Sequence, residues 1–328
     1  MSGVMRALRQ ETLAGPVDLR LVEDAVTPAP GGGEVLVKVA AAGVNFADVM
    51  QTRGTYHGGP QAPYLAGFEA AGEVVALGAD VTGVEVGARV IGTGYGAFAE
   101  YMVMAADGIA PVPEGWRPEQ ALGLVLNWAT ALAALKPLGQ LRAGQTVLVH
   151  AAAGAVGQAA VRMAKHYGAT VIATASASKH EVVRRLGADH VIDYRTADLA
   201  SEVRQLSDGK DVDVVLESVG GETFKKSLEV AKRVTGKVVV YGVAGGEASI
   251  SNWELNFTHQ VHVIGLHIGV LSQQAPDMFA ELMAELSRLI SIGVYPPGEP
   301  TVYDLAEGPK ALAELEARAT VGKIALKP

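Results

Sequence analysis

The chain has 328 residues, which at about 150 residues per domain predicts two domains. Its 27 lysines and arginines against 35 aspartates and glutamates give a net charge of −8, which repels nucleic acid and anionic lipid, so neither is an expected partner. Because the chain holds no cysteine, it can form no disulfide, thiolate zinc site or cysteine nucleophile, and we expect a reducing, cytoplasmic environment.

The sequence predicts neither export nor membrane insertion. Arg6, Arg9 and Glu11 stand where a signal peptide needs an unbroken apolar core. The longest weakly polar stretch, residues 121–135, contains an asparagine and a threonine and is expected to be too short and too polar to span a bilayer. We therefore expect a soluble protein.

The first third of the chain alternates short apolar runs with Gly, Pro and Asp, a pattern that predicts a β-barrel-like domain. The predicted strands are residues 17–22, 35–42, 72–77, 88–91 and 97–104. Residues 45–53 break the pattern, because Phe46, Val49 and Met50 have helical spacing. One short helix is expected on an otherwise β domain.

After residue 118, apolar strands alternate with amphipathic helices, which is typical of βαβ units on a parallel sheet. The predicted strands are residues 146–151, 170–175, 191–193, 212–217 and 237–241, and the predicted helices are 155–167, 179–186, 199–206 and 222–233. A last apolar strand over 261–268 precedes a helix over 276–291. The tail over 309–326 does not continue the alternation, so we expect it to pack on the first domain.

The turn after the first strand of this part carries a candidate dinucleotide fingerprint. Ala151, Gly154 and Gly157 are spaced three residues apart. Gly154 would let the backbone approach a pyrophosphate, and Gly157 would let the helix pack closely on the sheet. Ala151 stands where the fingerprint has its first glycine. A plain glycine-rich turn is the alternative, and the position between strand and helix favours the dinucleotide site.

The end of the second strand indicates which dinucleotide binds. An NAD site needs an acidic residue about 20 residues after the glycines, to accept from the ribose hydroxyl. Residues 173–179 contain no acidic residue; they contain hydroxyl residues followed by Lys179. Such side chains can bind a 2′-phosphate, so the sequence favours NADPH. Alternatively, Ser178 caps the next helix and Lys179 is a solvated surface charge.

Six short motifs point to one family: AGVNFAD (42–48), RGTY (53–56), GFEAAG (67–72), NWATA (127–131), LGADHVIDYR (186–195) and RATVGK (318–323). Together they resemble the zinc-independent quinone oxidoreductase branch, related to zeta-crystallin, of the medium-chain dehydrogenase/reductase superfamily. The resemblance covers essentially the whole chain. It implies an α/β fold with a Rossmann-type doubly wound parallel sheet plus a GroES-like β-barrel domain.

The same resemblance implies domain boundaries and residue roles. The implied domains are a GroES-like catalytic domain over 1–124, a Rossmann NADPH-binding domain over 125–265 and a return segment over 266–328 that completes the catalytic domain. The implied cofactor contacts are Gly154, Ala155 and Val156 at the pyrophosphate, Ser176, Lys179 and Tyr194 at the 2′-phosphate, and Thr130, Tyr241 and Gly242 on the nicotinamide side. Asn45 and Tyr56 would face the substrate.

Zinc-dependent members of the superfamily carry a cysteine at the position of Asn45 and a histidine at that of Phe68, so no metal site is expected here. Both substrate-facing residues also have a structural interpretation. Asn45 could cap the short helix that follows it. Tyr56 could be an aromatic residue in a flexible loop, since glycines surround it between residues 54 and 60.

These patterns predict a cytoplasmic, metal-free, NADPH-dependent reductase that passes hydride from nicotinamide C4 to a quinone or a similar electrophilic acceptor. Without zinc, neutral donors such as Asn45, Tyr56 or water would meet the developing oxyanion. An alkenal or enoyl reductase and a non-catalytic, crystallin-like NADPH-binding protein are the alternatives. A homodimer or larger homo-oligomer is expected, because the apolar strand 261–268 would leave an adhesive sheet edge.

Overall fold

The computed structural model describes residues 3–328, so the N-terminal prediction that begins at Met1 lies partly outside the described residues. The strands of this part are β1 (Val4–Gln10), β2 (Leu19–Val26), β3 (Glu34–Val44), β4 (Tyr64–Leu65), β5 (Glu69–Leu77), β6 (Arg89–Thr93), β7 (Tyr101–Ala105), β8 (Ala110–Pro111), β9 (Thr146–Val149), β10 (Thr170–Ala175), β11 (His190–Asp193), β12 (Val214–Glu217), β13 (Lys237–Val240), β14 (His262–Gly265), β15 (Thr301–Asp304) and β16 (Ile324–Lys327).

The helices follow the same order along the chain. They are α1 (Phe46–Thr52), α2 (Pro118–Ala121), α3 (Ala129–Ala133), α4 (Ala155–His166), α5 (His180–Arg185), α6 (Leu199–Leu206), α7 (Gly221–Val230), α8 (Ile268–Gln274), α9 (Pro276–Ser291) and α10 (Gly308–Glu316). Five of them, α1, α4, α5, α6 and α9, lie within one residue of their predicted bounds. The elements that were not predicted are strands β1, β4, β8 and β15 and helices α2, α3 and α8.

The chain divides into two compact units, one of residues 3–125 with Pro297–Pro328 and one of Leu126–Pro296. The sequence predicts a return segment that begins at residue 266, whereas residues 266–296 lie in the second unit. Helices α8 and α9 pack against α3 of that unit, which explains the difference. The returning part is thus residues 297–328.

The first unit contains two sheets. The larger runs β15-β16-β3-β5-β6-β8 with β7 also paired to β3, and the smaller runs β2-β1-β4. Alternate residues of β3, including Val35 and Val37, are buried, as expected for strands with one face in the core. Because β16 pairs antiparallel with β3, through Ile324 and Val44, the tail packs in this unit as expected.

The second unit is built on a six-stranded sheet in the order β11-β10-β9-β12-β13-β14, with every pair parallel. This is the doubly wound order, in which the chain reverses its direction of travel between β9 and β12. All four residues of β12 are buried, which is typical of a strand covered by helices on both faces. The predicted α/β fold class is confirmed.

Two sequence-based expectations need correction. Pro118–Leu138 is a helical stretch of 21 residues with a mean hydropathy of 1.4, long and apolar enough by length and composition to cross a membrane, so the expectation that it is too short is wrong. Of its most apolar window, 72% is buried inside the protein, as in the core helix of a soluble domain. The predicted strand 261–268 is reduced to the four residues of β14, because Ile268 begins α8.

Candidate functional site

The loop after β9 adopts the backbone of a dinucleotide fingerprint despite its missing glycine. Ala151 has a φ of +48°, in the left-handed region that favours glycine. The Gly154 N–H donates to the Ala151 carbonyl at 2.9 Å, and α4 begins at the next residue. The alanine therefore occupies the conformation that the first glycine normally supplies.

The two glycines of this loop differ in how closely the backbone approaches them. A Cβ on Gly157 would lie 2.6 Å from Ala152 Cα, whereas one on Gly154 would meet nothing closer than the Ala151 carbonyl oxygen at 3.3 Å. Gly157 thus lets α4 pack on the β9 loop, as its spacing predicted. The first N–H groups of α4, at Ala155 and Val156, lack intrahelical partners and suit an anion.

The end of β10 and the loop after β11 bring hydroxyl and basic groups together. Ser176 is buried, and its Oγ lies 3.5 Å from the hydroxyl of Ser178. Burial lowers the pKa of Lys179, Tyr194 opposes that shift, and the positive charge of Arg195 adds to it. The Arg195 guanidinium stands 5.9 Å from the ring centre of Tyr194. Lys179 and Arg195 therefore make this edge of the sheet electropositive, and no acidic residue stands at the end of β10.

The loops after β12 and β13 pack tightly at the same carboxyl-terminal sheet edge. The buried Glu217 carboxylate accepts the N–H groups of Val219 at 2.7 Å and Gly220 at 2.9 Å. The Tyr241 N–H donates to the Glu217 carbonyl at 2.9 Å. A Cβ on Gly242 would lie 2.7 Å from the Ser218 carbonyl oxygen, so a side chain there would separate the two loops.

Thr130 is buried in α3, which packs against α4. The structure thus brings the fingerprint loop, Ser176, Lys179, Tyr194, Tyr241 and Gly242 to one edge of the second unit's sheet, because the carboxyl ends of parallel strands meet there. Their roles toward a cofactor stay predictions.

In the first unit, Asn45 belongs to a buried polar cluster. Its side-chain N–H groups donate to the Gly43 carbonyl at 3.2 Å and to Glu69 Oε2 at 2.9 Å. Lys323 Nζ donates to Asn45 Oδ1 at 2.7 Å and to Glu69 Oε2 at 2.5 Å. Both amide hydrogens of Asn45 are therefore engaged inside the protein. Any contribution of Asn45 to an oxyanion would require this arrangement to change.

The backbone around this cluster leaves little room. Gly123 donates its N–H to Glu69 Oε1 at 2.5 Å, so three separate groups donate to that carboxylate. A Cβ on Gly43 would lie 2.8 Å from Lys323 Cε. Because Gly43 near the end of β3 has no side chain, it leaves room for the ion pair between Lys323 and Glu69.

Asn45 is also the N-cap residue of α1, and its backbone is bonded to Asp48 in the first turn of that helix. Asp48 Oδ2 accepts the Asn45 backbone N–H at 2.7 Å. Burial raises the pKa of Asp48 to about 8; the hydrogen bond from Asn45 and the charge of Lys323 oppose the rise, and Glu69 adds to it.

Tyr56 lines a pocket of 280 Å³ in the first unit. The other lining residues are Leu13, Gln51, Gly54, His57, Gly58, Gly59, Pro60 and Gln61. Burial raises the pKa of the Tyr56 phenol, and Tyr95 and Asp48 raise it further. The phenol therefore carries its proton at neutral pH and can donate a hydrogen bond to an oxygen in the pocket.

The sequence patterns assign no function to Asp48, Glu69, Lys323 or Arg195. The first three stand inside the motifs AGVNFAD, GFEAAG and RATVGK, where a charged residue among small apolar ones is the signal of a buried, paired group. In residues 3–328 no group of three or more His, Cys, Asp or Glu side chains is arranged to hold a metal ion.

The fold and these groups define a two-part protein, one part a nucleotide-binding α/β unit. Family models match both parts: an alcohol dehydrogenase GroES-like domain over residues 31–114 and a zinc-binding dehydrogenase domain over 155–288. The chain belongs to the medium-chain dehydrogenase/reductase superfamily and is an oxidoreductase of that family.

Individual relatives support this assignment. The chain is 34% identical over 323 residues to the synaptic vesicle membrane protein VAT-1 homolog of Rattus norvegicus, covering 93% of this chain and 79% of the relative. It resembles the Escherichia coli quinone oxidoreductase complexed with NADPH, at a TM-score of 0.90 and 32% identity over 98% of this chain and 100% of that one. It also resembles the CurK enoyl reductase, at a TM-score of 0.89 and 29% identity over 98% and 99% of the two chains.

Proposed function

We propose that the protein is a zinc-independent, NADPH-dependent quinone reductase that transfers hydride to a quinone or a similar electrophilic acceptor. The observation that carries this proposal is the edge of the second unit's sheet. There the fingerprint backbone around Ala151 and Gly157 stands beside Ser176, Lys179 and Arg195, with no acid at the end of β10. The similarity to a quinone oxidoreductase complexed with NADPH supports it.

The residues present fit NADPH. The N-terminus of α4 would hold the pyrophosphate, and Ser176, Lys179, Tyr194 and Arg195 would hold the 2′-phosphate through charge-assisted hydrogen bonds. Tyr241, Gly242 and Thr130 are the proposed nicotinamide-side residues. When bound, NADPH supplies the hydride; the protein's task is to orient the reactants and stabilise the charge that develops on the acceptor.

The first unit offers Tyr56 as the donor to that developing charge. Its phenol borders the pocket and is held in the protonated form. The amide of Asn45 is hydrogen-bonded to Glu69 and Lys323, and its proposed role is to stabilise the structure of this unit around the donor. Neutral donors stabilise an oxyanion less than a metal would, so we expect acceptors that are already reactive.

Reduction of a carbon–carbon double bond in an alkenal or enoyl thioester is the second candidate. The similarity to the CurK enoyl reductase favours it, because that protein resembles this chain about as closely as the quinone oxidoreductase does. The two candidates share the hydride source and differ in the shape of the acceptor pocket.

A screen of NADPH oxidation across quinones, enals and enoyl thioesters tests the proposal. We expect the highest kcat/KM with quinones. Tyr56→Phe should lower kcat by up to roughly 10²-fold on weakly electrophilic enones and by less on activated quinones. Tyr101→Phe, on strand β7, is the matched control and should retain wild-type kcat. Binding of NADPH without turnover of any acceptor would instead favour the non-catalytic alternative.

We also propose that the protein acts in the cytoplasm as a homodimer or larger homo-oligomer. Strand β14 is the last strand of the six-stranded sheet, and Val263 on it is 37% exposed. Near it in sequence, the exposed rings of Trp253 and Phe257 lie 4.4 Å apart. An uncovered strand edge and exposed aromatics favour pairing with a second copy. A strictly monomeric mass in light scattering at micromolar concentration would contradict this.

A further inference from the structure

Gln51 is a buried residue whose side-chain amide has no partner inside the protein. It lies in α1 and is 6% exposed, so more than nine-tenths of its surface is covered. Within residues 3–328 the amide forms no hydrogen bond, yet Gln51 lines the 280 Å³ pocket of the first unit. A buried amide without a partner destabilises a fold, and a leucine of similar size would avoid that cost. Gln51 therefore points to a ligand in the pocket.

Two turns bring Tyr56 to the same pocket as Gln51. The Gly54 N–H donates to the Gln51 carbonyl at 3.1 Å, and Gly54 has a φ of +65°, which turns the chain out of α1. The Gly59 N–H then donates to the Tyr56 carbonyl at 2.9 Å, and Gly58 has the positive φ, +73°, that this turn requires at its third position. Both side chains therefore line one pocket, although they stand at different ends of this segment.

The remaining lining residues indicate which chemical class the pocket binds. Among the nine described residues that line it, none is Asp, Glu, Lys or Arg. A phosphate or carboxylate would therefore enter without a counter-charge, which is costly. Leu13 supplies an apolar wall, and a Cβ on Gly54 would lie 2.9 Å from Leu13 Cδ1, so the glycine makes room for it. The volume of 280 Å³ is just below the usual range of about 300–1,000 Å³ for small-molecule sites and suits one small neutral ring.

We propose that Gln51 binds the second carbonyl oxygen of a small neutral quinone whose first carbonyl oxygen is bound by Tyr56. This inference rests on the proposed function and names its acceptor. The quinone gains one hydride from NADPH and one proton from water, so that both C=O groups become C–OH groups and NADPH becomes NADP⁺. A carboxamide has N–H donors and a carbonyl acceptor, so Gln51 can donate to the quinone oxygen and accept from the hydroquinone hydroxyl.

An alkenal or an enoyl thioester has a single conjugated oxygen. Tyr56 alone would bind that oxygen, and the Gln51 amide would stay without a partner. Loss of the Gln51 amide should therefore weaken the binding of quinones and leave the binding of enals nearly unchanged. Gln51 is thus a specificity-determining residue that separates the two candidate acceptor classes.

Binding to the full chain in complex with NADP⁺, which has no hydride to transfer, tests the contact without turnover. Titration calorimetry measures Kd for tetramethylbenzoquinone and for cinnamaldehyde, an enal. Gln51→Leu should raise Kd for the quinone by about threefold to tenfold, the effect of one hydrogen bond, and Kd for the enal by less than about twofold. Gln205→Leu, at an exposed position of α6, is the matched control and should change neither. Equal changes for the two ligands, an unchanged Kd for the quinone, or no binding of the quinone to wild type would overturn the proposal.

Stability distinguishes a role in ligand binding from a role in the fold. Gln51→Leu should be at least as stable as wild type in chemical denaturation, because it removes an amide that the fold leaves unpaired. A clear loss of stability would assign Gln51 to the fold and overturn the proposal. A wild-type protein that binds the quinone but oxidises NADPH with no acceptor would overturn the proposed function, while the Kd values still decide whether Gln51 binds the quinone.

Discussion

Lys323 and Glu69, 254 positions apart in the sequence, form an ion pair of 2.5 Å inside the first unit. The side chain of Lys323 is 10% exposed and that of Glu69 is fully buried. Such a pair holds the returning end of the chain against β5. Removing one partner of this pair should destabilise the fold more than removing one partner of a surface pair, because the remaining charge would be buried without a counter-charge.

Lys323→Met should lower the free energy of unfolding by about 3–5 kcal/mol, because Glu69 would remain buried without its cation. The double variant Lys323→Met/Glu69→Gln should recover much of this loss, since both charges are gone. Lys310→Met, which removes an exposed pair with Glu307, should change stability by less than about 1 kcal/mol. Chemical denaturation measures all three. A Lys323→Met variant as stable as wild type would show that the pair is not a stabilising contact.

Gly157→Ala and Gly154→Ala should separate packing from cofactor binding. A methyl group at position 157 meets the Ala152 backbone, so we expect a loss of about 1–3 kcal/mol in stability together with loss of NADPH binding. At position 154 the same methyl meets an oxygen at 3.3 Å, so stability should stay near wild type while NADPH affinity falls. Thermal unfolding and fluorescence titration distinguish the two. Equal stability of the two variants would contradict the interpretation that Gly157, and not Gly154, is needed for packing.

The second unit could be predicted from the sequence more closely than the first. Its strands and helices alternate in order and each boundary carries a local signal, so helices such as α6 and α9 match their predictions. In the first unit, β1 was missed because Arg6 and Arg9 interrupt its apolar residues and mask the alternation of the buried Met5 and Ala7. The Asp48, Glu69 and Lys323 cluster joins three separate motifs, and no local pattern predicts such contacts. The φ of Ala151 is likewise set by the surrounding loop and not by its residue type.

Lys179→Ala should weaken NADPH binding by about tenfold or more and leave NADH binding nearly unchanged. A charge-assisted hydrogen bond contributes about 1.5–3 kcal/mol, and NADH has no 2′-phosphate to accept it. Arg195→Ala should also weaken NADPH binding, because Arg195 is a second positive charge close enough to act on Lys179. Arg185→Ala, which removes an exposed charge paired with Glu181, is the control. Equal wild-type affinity for the two cofactors would refute the assignment.

His150 should make the protein sensitive to mild acid. The buried ring lies between Thr174 Oγ1 at 3.2 Å and Ser227 Oγ at 3.0 Å. Ser227 donates its own hydrogen to the Thr223 carbonyl, so it accepts from Nε2–H, and Nδ1 accepts from Thr174. The neutral ring satisfies this network, and burial lowers the pKa of His150 from 6.5 to about 4.

The sign of the pH effect follows from that shift. The unfolded chain binds a proton at His150 below its ordinary pKa of 6.5, while the folded protein resists protonation until about 4. Stability from this residue is therefore fully present above pH 6.5 and is lost as the pH falls toward 4, by about 3 kcal/mol in total. Denaturation midpoints measured between pH 7.5 and 4.5 should decline less steeply in His150→Asn, whereas the exposed His262→Asn should follow the wild type. A wild-type slope retained in His150→Asn would assign the acid sensitivity to other groups.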